Sequence, residues 1–89
     1  MLTLKDCLEF CGLTEEEIEA ISEHEHVPEI VAAELGQALL KSGRGVAEIK
    51  RFILEDIEHA RATGQLAKAA RLEEVYRHFD AAHPTPARG

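Results

Sequence analysis

The sequence predicts an all-α fold: a small helical bundle of four to five helices, with a long second helix kinked or broken near Pro28. Three observations lead there. Apolar residues recur at the three- and four-residue spacing of one helix face along most of the chain. Helix start and stop signals punctuate that pattern. Strand signals do not appear.

The first element is expected in "LTLKDCLEFCG". Thr3 is placed as N-cap and Asp6 three residues on, with Leu4, Cys7, Leu8 and Cys11 on one face and Gly12 as the stop. The second begins at "LTEEEI". Thr14 and Glu17 have the spacing of a capping box, and Leu13 and Ile18 that of a hydrophobic staple. Glu15, Glu16 and Glu17 fill the first turn, where the helix dipole favours anions. Periodicity then runs to Leu40. Pro28 interrupts it, because proline lacks an N–H and disfavours helical geometry in the residue before it. Read as continuous, this element turns Ala20, Ile21, Val27, Val31, Leu35, Ala38 and Leu39 one way, with His24 near the middle of that face. His26 projects away, beside Glu23 and Ile30.

"KSGRGV" is the next boundary, with Gly43 a terminating glycine and Gly45 the new cap. A third helix is expected from Val46 to about Ala62, with Val46, Ile49, Ile53, Ile57 and Ala60 as its stripe and Phe52 at the edge. Gly64 interrupts. A fourth runs from Leu66 to about Ala81, with Leu66, Ala69, Leu72, Tyr76 and Phe79 inward. Residues 1–82 form a single helical domain and 83–89, "HPTPARG", a flexible tail.

Composition bounds the function. A chain of 89 residues buries only roughly 60–65% of its unfolded surface, which favours self-association. The net charge of −7 repels phosphates, so no nucleic-acid partner is expected. The helix–turn–helix look of "LLKSGRGVAEIKRFI" fails on the same ground, since Glu48, Glu55, Asp56 and Glu58 follow the turn. Cys7 and Cys11 lie one helical turn apart, about 5–6 Å between Cβ atoms, too wide for a disulfide. They are expected as buried small hydrophobes, and free thiols suit the cytoplasm. Neither a secretory signal nor a membrane-length apolar run is expected, so no membrane partner is either.

The chemistry-bearing stretch is "SEHEHVPEIV". Glu23 and His26 are neighbours at i,i+3, and Asp56 and His59 repeat the unit. Together with Glu34 or Glu55, these groups supply the carboxylate and imidazole donors of a zinc, iron or manganese site. His24 and His26 point nearly opposite ways on a regular helix and share an ion only if the helix breaks between them. The competing reading has no cofactor: a solvated acid–histidine face, with His24 partly buried and satisfied by a carbonyl that the proline frees. No nucleophile with its base, phosphate-cradling loop or dinucleotide fingerprint is present, so catalytic residues are expected to be none.

At "AISEHEHVPEIVAAELG" the chain resembles a group of small bacterial helical proteins without assigned function, which share an EHEHVPEIVAAELG-like segment. The resemblance runs from the first helix through "RHFDAAHP". It implies an all-helical bacterial cytoplasmic protein and carries over no catalytic residues. Glu23/His26 and Asp56/His59 also resemble the Glu-x-x-His units of ferritin-like bundles, with Asp56 standing where those bundles use Glu. The expected function is a non-catalytic protein-interaction or structural module, acting as a homodimer through Ile30, Ala33 and Leu40, which lie off the main stripe. The alternative is a metal-binding bundle centred on Glu23, His26, Asp56 and His59.

Overall fold

The computed structural model describes residues 13–84, and these form four helices with no strand among them. They are α1 (Glu15–Glu25), α2 (Glu29–Leu39), α3 (Gly43–Ala62) and α4 (Leu66–Ala82). The helix expected around Thr3–Cys11, both cysteines and residues 85–89 lie outside the described residues.

α1 starts as its sequence dictates. Thr14 Oγ1 accepts the Glu17 N–H at 3.2 Å, and the Thr14 N–H donates to Glu17 Oε1 at 2.9 Å. Leu13 and Ile18, the expected staple pair, are both buried. The helix ends at His26, which adopts the left-handed conformation (φ 56°). The N–H groups of His26 and Val27 both donate to the Ser22 carbonyl, and Ser22 Oγ donates to the Val27 carbonyl at 2.5 Å. Histidine tolerates this conformation better than most residues, but a non-glycine residue still loses roughly 1–2 kcal/mol there. Pro28 then stands as N-cap of α2, where its missing N–H costs nothing.

The stretch expected as one face is therefore two helices, and the phase does not carry across the break. α2 buries Ala32, Ala33 and Gly36. Val31 and Ala38, expected inward, are exposed, and Leu35 and Leu39 are half-buried. Small residues let α2 sit close to its neighbours: a Cβ on Gly36 would run into Leu13 Cδ1 and lie 3.1 Å from Ile21 Cδ1.

α3 begins earlier than expected. Ser42 is the N-cap, its side chain accepting the Gly45 N–H at 3.0 Å, so Gly43 opens the helix rather than ending the previous one. Gly45 is not a cap. It is buried in the first turn, where a Cβ would collide with the Leu39 carbonyl. The α3 stripe is otherwise as read, with Ile49, Phe52, Ile53, Ile57 and Ala60 buried. In α4, Ala69, Leu72 and Phe79 are buried as expected, joined by Val75, while Leu66 is exposed and Tyr76 only partly covered. His83, assigned to the tail by sequence, stacks on Phe79 with ring centroids 4.5 Å apart.

α3 and α4 run antiparallel, as the pairs Lys50–Asp80 (2.7 Å) and Arg61–Glu73 require. α1 lies against both, and α2 rests on α1 and α3. The bundle is 18 Å across in its thinnest direction, less than two full helix diameters. Among the described residues no helix is long and apolar enough to cross a membrane.

Candidate functional site

Two regions emerge: a polar cleft and an uncovered helix face. The cleft lies where the end of α1, the middle of α3 and the start of α4 meet. It measures about 440 Å³ and is lined by Glu23, His24, His26, Glu55, Asp56, His59, Gln65 and Lys68. All four residues nominated as metal ligands, Glu23, His26, Asp56 and His59, thus share one cleft. Glu34 does not join them; it is exposed on α2. His24 and His26 both reach the cleft because the helix stops between Glu25 and Val27, the condition that a shared site demanded.

His24 is held from three sides. Its ring stacks on Phe52, centroids 4.4 Å apart and planes 23° apart. Nε2 lies 2.5 Å from Glu55 Oε1, and Nδ1 lies 2.9 Å from Glu25 Oε2. The expected partner was a freed carbonyl, and the found partners are carboxylates. The reason is local: the left-handed turn at His26 ties the backbone up through Ser22 and leaves the imidazole to α3. Burial opposes charge on His24, but the bonds to Glu55 and Glu25 and the nearby Asp56 outweigh it, and its pKa is raised. Glu55 in turn is held below the usual carboxylate range by its bonds to His24 and Arg51.

Asp56 is the opposite case. Its Oδ2 is buried and finds no hydrogen-bond partner among the described residues. Burial is the main reason that its pKa is pushed up to about 6; Glu23 adds to the rise, while His24, Lys68 and His59 work against it. His26 also lines the cleft and is exposed. Glu23 is occupied by an ion pair to Lys68 across from α4. Accordingly, no three of these donors converge on one point among the described residues. Sequence reading missed Lys68, which carries no pattern linking it to Glu23 across 45 residues. It also missed the pairing of His24 with Glu55, which only helix packing reveals.

The second region is the outer face of α2. Ile30 (36% exposed) and Val31 (42%) stand side by side in its first turn. Leu40, placed with them by sequence, is half-covered at the end of the helix. Ala33 is a correction: it is only 1% exposed and belongs to the chain's own core, so it cannot face a partner. The cause is the phase reset at His26–Pro28, which turns Ala33 inward and Val31 outward. Compared with known families, curated proteins and solved structures, the chain matches none.

Proposed function

We propose that this protein is a non-catalytic interaction module that pairs with a second copy of itself through the outer face of α2. The observation that carries this is an inversion. α2 spends its smallest residues, Ala32, Ala33 and Gly36, on its own core and leaves Ile30 and Val31 in solvent. Apolar patches left uncovered on a small domain mark contact surfaces.

A second copy is the favoured occupant on charge grounds. Glu29 and Glu34 occupy the first half of α2, and Lys41 and Arg44 follow its end. Two α2 helices laid antiparallel about a twofold axis set the acidic half of each beside the basic end of the other, and their dipoles oppose. Covering Ile30 and Val31 on both copies contributes on the order of a few kcal/mol before association costs. Pairing adds buried surface to a small bundle that is 18 Å across in its thinnest direction.

Light scattering of the full chain over a dilution series tests the reading. A mass that falls from two chains to one on dilution supports it. A single-chain mass up to millimolar concentration removes it.

A further inference from the structure

We draw no further inference here: the strongest candidate, the polar cleft between the end of α1, the middle of α3 and the start of α4, belongs to the site already described, where no three acids or histidines converge among the described residues, Glu23 and His24 are already ion-paired and Asp56 is only half-buried.

Discussion

α2 and α3 lie against each other and solve opposite problems. α3 buries Ile49, Phe52, Ile53 and Ile57, leaves Leu54 in solvent, and packs against all three other helices. α2 buries Ala32, Ala33 and Gly36 and shows Ile30 and Val31 to solvent. α3 opens on a serine cap, whereas α2 opens on Pro28 with no side-chain cap. The difference shows which helix the chain completes on its own. The buried stripe of α3 is built from large residues, while that of α2 is built from small ones and two of its larger groups, Ile30 and Val31, stay in solvent.

That contrast can be broken at several points, and the largest effect is expected in α3. Ile53 is fully buried at its centre, so Ile53→Ala should cost about 2–5 kcal/mol by urea unfolding. A loss under 1 kcal/mol would mean that α3 is not the core helix. The matching change on the buried face of α2 is an enlargement. Ala33→Leu should cost roughly 1–3 kcal/mol by overpacking against α1 and α3. Had Ala33 faced a partner, as the sequence suggested, the monomer would tolerate it. Ser42→Ala removes the acceptor for the Gly45 N–H and should cost about 1 kcal/mol.

A pH series sharpens the contrast on the cleft side of α3, in metal-free buffer. The Asp56 pKa is raised from 3.8 to about 6, so folding favours its protonated form. The sign follows: this group's contribution is fully present below about pH 3.8 and is lost as pH rises through about 6. Asp56→Asn removes that loss. Its stability relative to the parent should grow between those two values and then level off, at about 1 kcal/mol, because solvent screens a carboxyl that is only partly buried. His24 acts in the same direction but higher: its attraction to Glu55 is present below its unfolded value of 6.5 and fades as pH climbs through its raised one. A flat difference across the range would show that Asp56 is paired after all.

Much of this was legible in the sequence where the determinants are local. The Thr14–Glu17 capping box and the Ile49–Ile53–Ile57 stripe need only neighbours within two turns, and both are in place. The α2 face was not legible. Its prediction carried the phase of α1 through Pro28, and a single left-handed residue, His26, rotated everything after it. Gly45 was misread for a related reason: its contact is with Leu39 on the preceding helix, not with its own turn. The i,i+3 pairs Glu23/His26 and Asp56/His59 do line one cleft, but the partners Lys68 and Glu55 depend on tertiary contact that no spacing encodes.

The smallest expected effect on the fold carries the largest consequence for assembly. Ile30→Glu/Val31→Glu changes only exposed positions of α2 and should leave the unfolding curve at low concentration within about 0.5 kcal/mol of the parent. Sedimentation equilibrium of the parent and this double variant, side by side at micromolar to millimolar concentration, is the most direct measurement of the central claim. Pairing through α2 predicts a two-chain mass for the parent and a one-chain mass for the variant, with equal helicity. A parent that stays a single chain, or a variant that still pairs, would contradict it.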